Sequence, residues 1–248
     1  MNIPALVAFL LAEEEANIKI QTQLGGKHTI PEPPPAGDPI GDALRTMCLA
    51  YWKMDEVELP LIDSSGGNHT LILYNHNMFL PVVGIVNGGF GYIDSTLIYG
   101  KIFSDIIGVF TEWSWSGWIK ISTSFGATEV STLADLPNQV YVVIDGDNGL
   151  YIEAGIVGTT FPLSPGVWHN IIVVSDSINH NLYIDGVLKE TIINARTPAS
   201  FSEELMLTAG WNDVDYYQMD EIGIFNMQIT AEQIAYLYNT GAGRTLYP

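Results

Sequence analysis

The sequence predicts an all-β protein, and three features of its 248 residues carry that prediction. Glycine and aromatic residues are plentiful, whereas charged residues make up only 15% of the chain. From about Cys48 onward, short apolar segments alternate with turn-forming residues at close spacing. Asp185-Gly186 separates two such segments in the strand–turn–strand pattern of a tight β-hairpin. Many short strands of this kind predict an antiparallel β-sandwich or jelly roll.

The clearer strands are rich in β-branched and aromatic residues and are bounded by turn-forming ones. We predict them at residues 71–74, 113–120, 139–144, 168–175 and 181–184. Asp145-Gly146 predicts a second two-residue hairpin turn, because both central positions of such turns require a positive φ angle.

One short helix is predicted to close the domain. Thr230 can cap its first turn, and Gln233, three residues later, completes a capping box. Gly241 can adopt the left-handed conformation that ends a helix. The residues on the apolar face of this helix are Ile234, Leu237 and Tyr238.

The chain is strongly acidic, with a net charge of −19 and only nine Lys and Arg residues. Nucleic acid binding is therefore excluded as a function, because phosphate contacts need clustered cations. The acidity fits either a self-repelling, soluble surface or carboxylate clusters that hold Ca²⁺. Cys48 is the only cysteine, so no intramolecular disulfide can form, which suits assembly in a reducing cytoplasm.

Residues 1–45 are predicted to form an N-terminal arm, and residues 46–248 the sandwich domain. A helix over residues 3–16 carries one apolar face. The side chains on that face are Ile3, Leu6, Val7, Leu10 and Leu11. This face packs either against a partner surface, as an assembly anchor, or against its own domain. A linker follows at residues 28–42, where five prolines favour an extended conformation.

The apolar run in the arm is predicted neither to cross a membrane nor to direct secretion. It is too short to span a bilayer. It is also unlike a classical signal peptide, because no Lys or Arg precedes it and Glu13, Glu14 and Glu15 follow it.

Five segments, taken in order, carry a resemblance to a known family. They read AYWKMDE (50–56), GGFGYIDSTLIYG (88–100), WSWSGWIK (113–120), GVWHNIIVVSDSINHNLYIDGVL (166–188) and MDEIGIFNMQITAEQIAYLYNTG (219–241). Over residues 48–243 the chain thus resembles the concanavalin A-like, laminin G-type jelly-roll family.

The resemblance implies an antiparallel sandwich whose first and last strands lie side by side, so that Trp52 and Asp220 would be near neighbours. Members of this family serve as carbohydrate-binding modules, as adhesion modules and as appendages of viral and phage particles. A few relatives are glycosidases. Fold alone does not decide among these functions.

Calcium is the candidate cofactor, since relatives often hold one structural Ca²⁺ at the rim of the sandwich. Asp63 and Asn68 lie in one turn that resembles a family loop, and Asp220 lies in the closing strand. Ca²⁺ prefers several hard oxygen ligands of this kind. Alternatively, Asp63 and Asn68 stabilise the turn itself through hydrogen bonds from side chain to backbone.

Aromatic residues provide a candidate glycan platform, because the C–H faces of sugars stack on exposed rings. Trp211, Tyr216 and Tyr217 lie in the polar stretch WNDVDYY, which makes them the candidate glycan-binding residues. Ordinary packing is the alternative for them. Packing in the core or between the sheets is the interpretation for Trp113, Trp115 and Trp118.

No catalytic residues are predicted. A glycosidase needs two carboxylates placed across the scissile bond, and related glucanases alternate theirs along one strand face. Asp220 and Glu221 are the closest pair, but adjacent strand residues point to opposite faces. His169 starts a predicted strand and is interpreted as structural.

These observations predict a non-enzymatic virion structural protein, either a capsid decoration or a tail or fibre appendage. Its arm would bind capsid or tail proteins, and its sandwich would display an adhesion module for a host-surface glycan. We expect a homo-oligomer that assembles in the host cytoplasm. A free-standing bacterial carbohydrate-binding module is the alternative, and a glycoside hydrolase is a third hypothesis.

Overall fold

The computed structural model describes residues 37–57, 61–69, 71–74, 79–92, 101–104, 111–121, 130–136, 140–145, 148–176, 178–193, 205–210 and 217–247. Within them the chain is mostly β-strand, and its antiparallel sheets form a sandwich-like jelly roll. The predicted all-β fold class is therefore confirmed.

The elements follow one another in a simple order. Helix α1 (Pro39–Met47) leads directly into strand β1 (Cys48–Trp52). The next strands are β2 (Ile72–Tyr74), β3 (Phe79–Val83), β4 (Gly88–Tyr92), β5 (Lys101–Ser104), β6 (Trp113–Ile121), β7 (Val130–Leu136), β8 (Val140–Asp145), β9 (Gly149–Glu153), β10 (Phe161–Pro162), β11 (Trp168–Ser175), β12 (Asn179–Ile184), β13 (Val187–Ile193), β14 (Leu205–Gly210) and β15 (Tyr217–Phe225). Helix α2 (Ala231–Tyr238) and a 3-10 turn (Asn239–Gly241) close the domain.

Two antiparallel sheets make up the sandwich. The first runs β13-β12-β11-β6-β15-β4-β3, and β1 also pairs with β15. The second runs β10-β9-β8-β7-β14-β5-β2. Trp52 pairs with Ile222, two residues beyond Asp220, so the first and last strands are neighbours as the family resemblance implies.

The main core lies between the two sheets. It joins Trp113 and Trp115 of β6 to residues such as Val142 of β8 and Ile152 of β9. A second apolar cluster covers the other face of the first sheet, where Leu44 of α1 and Ile234 and Leu237 of α2 pack on Ile172 and Phe225. The two helices therefore occupy the outer face of the first sheet.

The predicted hairpin turn at Asp185-Gly186 is confirmed, because φ is 52° at Asp185 and 74° at Gly186. The turn predicted at Asp145-Gly146 is wrong in its placement. Asp145 is the last residue of β8, and β9 begins only at Gly149. Its carboxylate accepts a hydrogen bond from the backbone N–H of Gly149, so it stabilises a longer connection.

Helix α2 begins as predicted, with a complete capping box between Thr230 and Gln233. It ends earlier than the glycine pattern indicates. The left-handed residue that follows its last turn is Asn239, with φ 47° and ψ 46°. Asparagine tolerates this conformation better than most residues, and Gly241 comes two residues later in the chain.

The predicted domain boundary at residue 45 is wrong, because it falls inside α1. Pro39 occupies the first turn, where its missing N–H is not needed, and Asp38 accepts from the N–H of Gly41. The Tyr236 hydroxyl donates to Asp38, and Leu44 is fully buried, so residues 37–47 belong to the sandwich unit. The predicted arm helix and its anchor residues lie outside the described residues.

None of the helices in the described part of the chain is both long enough and apolar enough to cross a membrane.

His180 of β12 lies in the core and should make stability depend on pH. Its side chain is fully buried 5.9 Å from the ring of Trp113. Burial lowers the pKa of His180 from 6.5 to about 4, an effect that the charge of Asp176 partly opposes. The unfolded chain therefore takes up a proton before the folded chain does as the pH falls.

We expect the contribution of His180 to the free energy of unfolding to fall below pH 6.5, by about 1.4 kcal/mol per pH unit. The loss ends near pH 4, where the folded state also binds the proton. Urea unfolding of the wild type and His180→Leu across this window measures the effect. An identical pH dependence of the two proteins would contradict the assignment.

Candidate functional site

The turn after β1 is organised by Asp63. One carboxylate oxygen accepts from the backbone N–H of Tyr51 at 3.0 Å and of Ser65 at 2.8 Å. The other accepts from the N–H of His69 at 3.0 Å. Asn68 has a φ of 61° and is exposed. The structure thus gives Asp63 the turn-stabilising role that the sequence left as an alternative.

Calcium binding stays a prediction. Burial raises the pKa of Asp63, but the hydrogen bonds from Ser65, His69 and Tyr51 outweigh it and hold the pKa below its usual value. Among the described residues, no three or more His, Cys, Asp or Glu side chains lie together in an arrangement that could hold a metal ion. The carboxylate of Asp220, the third predicted ligand, accepts hydrogen bonds from the backbone of another turn.

Replacing Asp63 with asparagine is expected to lower the free energy of unfolding by about 1–2 kcal/mol, because the amide nitrogen cannot accept the third hydrogen bond. Chemical unfolding in the presence of EDTA measures this loss without calcium. Asn68→Ala is the matched control for a ligand role. If calcium stabilises the wild type but neither variant, Asp63 and Asn68 are ligands after all.

Asp220 on β15 is fully buried and holds the turn between β3 and β4. One of its carboxylate oxygens accepts from the backbone N–H groups of Ile85, at 2.7 Å, and Val86, at 3.0 Å. A Cβ atom at Gly84 would overlap this oxygen, so only glycine fits beside it. Asp55 fixes the end of the same turn by accepting from the N–H of Gly88 at 2.8 Å.

Glu221, the next residue, is 3% exposed and contacts a different group. It accepts a hydrogen bond from the Tyr51 hydroxyl, which in turn accepts from the N–H of Leu246 at 3.0 Å. The strand bulges here, with a register shift between Asp220 and Gly223 and a φ of 51° at Glu221. The bulge is what allows both adjacent carboxyl groups to be buried.

Both carboxyl groups bind protons more tightly than usual. Burial, and then the charge of Glu221, raises the pKa of Asp220 to about 9, although its two backbone hydrogen bonds oppose the rise. Burial raises the pKa of Glu221 to about 8, against the hydrogen bond from Tyr51. A substrate in solvent cannot reach either group, so this pair serves the fold.

The predicted glycan platform is only partly within the described residues. Trp211 and Tyr216 lie outside them. The prediction for Tyr217 is wrong, because its side chain is 1% exposed and belongs to the core between the sheets. As the first residue of β15, it points inward, where no sugar can stack. Trp113, Trp115 and Trp118 are buried, as interpreted from the sequence.

His169 ties a turn to a neighbouring loop. Its Nδ1 lies 2.8 Å from a carboxylate oxygen of Asp185, and its Nε2 accepts from the backbone N–H of Ser164 at 3.2 Å. Since Nε2 is the acceptor there, Nδ1 carries the proton and donates to Asp185. The Nε2 lone pair is thus occupied by a backbone group, which agrees with a structural role.

The second sheet presents aromatic side chains on its outer face. Val140, Val142 and Ile144 of β8 point into the core, so Tyr141, Val143 and Asp145 point outward. On β9, Tyr151 and Glu153 point outward in the same way, because Leu150 and Ile152 lie in the core. We call these five outward residues the tyrosine face.

Cross-strand register brings the tyrosine face together. Tyr141 lies opposite Glu153, and Val143 lies opposite Tyr151. The two tyrosines are diagonal neighbours, at about 7 Å. Both are partly exposed, whereas Val143 is only 4% exposed. The sequence signal for this face is the alternation of inward and outward residues in QVYVVID (139–145) and GLYIE (149–153), which the predicted glycan platform does not include.

Comparison with known proteins identifies the family to which the chain belongs. A laminin G family model, described as the concanavalin A-like lectin/glucanases superfamily, matches residues 91–235. This is more than half of the chain. The chain belongs to the concanavalin A-like lectin/glucanases superfamily. No curated protein sequence matches it.

Among solved structures, the chain is similar to binding domains of bacterial toxins. It is 15% identical to the binding domain of Paraclostridial mosquitocidal protein 1, with a TM-score of 0.65, covering 80% of this chain and 53% of that one. It is 17% identical to a structure of botulinum neurotoxin type C, a toxin whose cell entry depends on interaction with two ganglioside molecules. The TM-score is 0.65, and the match covers 80% of this chain and 52% of that one. It is 14% identical to the ligand binding domain of botulinum neurotoxin serotype D in complex with N-acetylneuraminic acid. The TM-score is 0.60, and the match covers 81% of this chain and 52% of that one.

These likenesses show a shared fold. The chain spans about half the length of the solved structures it matches. It therefore has the fold of a lectin-like binding domain, within a superfamily that also includes glucanases. The gangliosides and the N-acetylneuraminic acid belong to the botulinum neurotoxin structures, and this chain covers about half of each solved chain.

Proposed function

We propose that the chain is a non-enzymatic, glycan-binding adhesion module. The observation that carries this proposal is the burial of Asp220 and Glu221, at 0% and 3% exposure. In a superfamily of lectins and glucanases, a glucanase needs two carboxylates open to substrate. Here Asp220 instead holds the turn between β3 and β4, and Glu221 holds the C-terminal segment through the Tyr51 hydroxyl. A lectin-like binding function is therefore favoured over a glucanase activity.

We further propose that the module is displayed on a virion, as a capsid decoration or a tail or fibre appendage. The sequence of the arm supports this role, since the apolar face predicted for residues 3–16 and the proline-rich spacer suit an anchor that docks into capsid or tail proteins. Many copies on one particle would convert weak glycan contacts into firm adhesion. The protein would assemble in the host cytoplasm.

A free-standing bacterial carbohydrate-binding module is the second candidate. The similarity of its fold to binding domains of bacterial toxins favours this alternative. Both candidates bind glycan, and they differ in what the arm does. An experiment on the arm therefore separates them.

Sedimentation of the full-length chain beside a chain that starts at Gly37 tests the anchor. The truncation begins there because α1 packs on α2 and must be kept. We expect only the full-length chain to self-associate or to bind shell components. A full-length variant with Leu6→Ser and Leu10→Ser should behave like the truncated chain.

Identical monomers in all three preparations would contradict the anchor role and favour the free-standing module. Adding calcium to each preparation tests the predicted cofactor in the same experiment. A shift in sedimentation or melting temperature with calcium would support it.

A further inference from the structure

We propose that the tyrosine face binds a neutral oligosaccharide, with the rings of Tyr141 and Tyr151 as its platform. This inference rests on the proposed glycan-binding function and gives it a place and a ligand class. It places the ligand away from Trp211, the sequence-predicted location, which lies outside the described residues.

The two outer faces of the sandwich differ in how they are used. Helices α1 and α2 cover the first sheet, where Ile172, Val174 and Phe225 are buried beneath them. On the second sheet, Tyr141 and Tyr151 keep part of their surface exposed to solvent. The described part of the second sheet therefore offers two partly exposed aromatic rings on paired strands, which are a better support for a ligand than a loop.

The spacing of the two tyrosines suits a sugar chain. They occupy diagonal positions on adjacent strands, and Val143 fills the space beside them at 4% exposure. Rings at about 7 Å on one face can stack on successive apolar faces of an oligosaccharide. The Tyr151 hydroxyl can also exchange a hydrogen bond with a sugar hydroxyl.

The charges around the rings select the ligand class. Glu153 lies opposite Tyr141, and Asp145 ends the same strand. Burial raises the pKa of Tyr151, and the nearby charges of Glu153 and Asp145 raise it further. Carboxylates accept hydrogen bonds from neutral sugar hydroxyls, but they repel the carboxylate of an acidic sugar.

The chain as a whole reinforces this selection. Its net charge is −19. The arginines that the structure describes are already engaged: Arg45 donates to Asp42 and to the carbonyl of Leu246, and Arg244 stacks over the ring of Tyr236. Neither guanidinium is placed to hold an anionic sugar. The ligand class thus differs from the N-acetylneuraminic acid bound by the type D toxin domain.

The test uses the full-length chain on an array of immobilised neutral oligosaccharides and their matched sialylated forms, at low and high salt. We expect binding to neutral glycans that changes little with salt, and weaker binding to each sialylated form. The difference should shrink at high salt, because salt screens the repulsion.

Three variants locate the site. Tyr151→Leu keeps an apolar side chain but removes the ring, and should weaken neutral binding about tenfold. Glu153→Gln keeps the shape of the side chain and should reduce discrimination against sialylated forms. Glu232→Gln, a matched change in the first turn of α2 on the other sheet, should leave both properties unchanged. Circular dichroism confirms that each variant is folded.

Each outcome has a distinct meaning. Neutral binding that survives Tyr151→Leu but is lost with Trp211→Ala overturns the tyrosine face and leaves the proposed function standing. Tighter binding of sialylated forms at low salt, or unchanged discrimination in Glu153→Gln, overturns the ligand class. If no glycan binds at all, the proposed function itself fails, and this inference fails with it.

Discussion

Replacing Gly84 with alanine is expected to cause a large loss of stability, about 3 kcal/mol or more in the free energy of unfolding. An added Cβ would overlap the carbonyl oxygen of Gly88 and a carboxylate oxygen of Asp220. The turn would have to move, and Asp220 would lose its hydrogen bonds from Ile85 and Val86. A buried carboxyl group left without partners is costly.

Urea unfolding of Gly84→Ala beside Val83→Ala measures this effect. Val83 precedes the glycine and is 70% exposed, so its truncation should change stability by less than about 0.5 kcal/mol. Similar stabilities for the two variants would show that the turn can shift at little cost. The role assigned to Asp220 in holding it would then be wrong.

The second large effect concerns alkaline pH. Burial raises the pKa of Asp220 to about 9 and of Glu221 to about 8, whereas both groups ionise near pH 4 in an unfolded chain. At these two groups the folded state thus holds more protons than the unfolded state above pH 4. Stability is fully present below that pH and is lost as the pH rises towards the folded pKa values.

We expect the free energy of unfolding to fall between about pH 5 and pH 8, by up to about 1.4 kcal/mol per pH unit for each retained proton. Denaturant unfolding across this range measures the slope. Glu221→Gln removes one titrating group while keeping an acceptor for the Tyr51 hydroxyl, so its slope should be shallower. A wild type whose stability rises with pH over this range would contradict the assignment.

Local patterns were sufficient to predict much of the fold. The apolar segments of β6 and β11, the Asp185-Gly186 turn and the capping box of α2 each depend on residues close in sequence. The family resemblance added the pairing of the first and last strands, which no local pattern specifies. Local chemistry and family topology together were enough for the sandwich.

The errors have physical causes that lie outside local patterns. The sequence predicts that Pro39 belongs to a linker, but Pro39 lies in the first turn of α1. Helix α1 packs on α2, which follows it in the chain by nearly two hundred residues. Tyr217 follows polar residues, but strand pairing with Ile121 turns its ring inward. The bulge at Asp220 depends on the tertiary contacts with the turn between β3 and β4.

The site was harder to predict than the fold for a related reason. Whether an aromatic residue of a strand lies in the core or in solvent depends on which face the neighbouring elements cover. Tyr141 and Tyr217 both lie in strands, yet one is partly exposed and the other is buried. The structure shows that α1 and α2 pack on the first sheet, and that Tyr141 and Tyr151 of the second sheet are partly exposed.

Titration calorimetry with a neutral oligosaccharide, followed by chromatography of the recovered sugar, tests the central claim most directly. The account predicts that the full-length chain binds the oligosaccharide and returns it intact after prolonged incubation. Cleavage products would contradict the non-enzymatic role. Absence of binding to any member of a broad oligosaccharide panel would contradict the glycan-binding role itself.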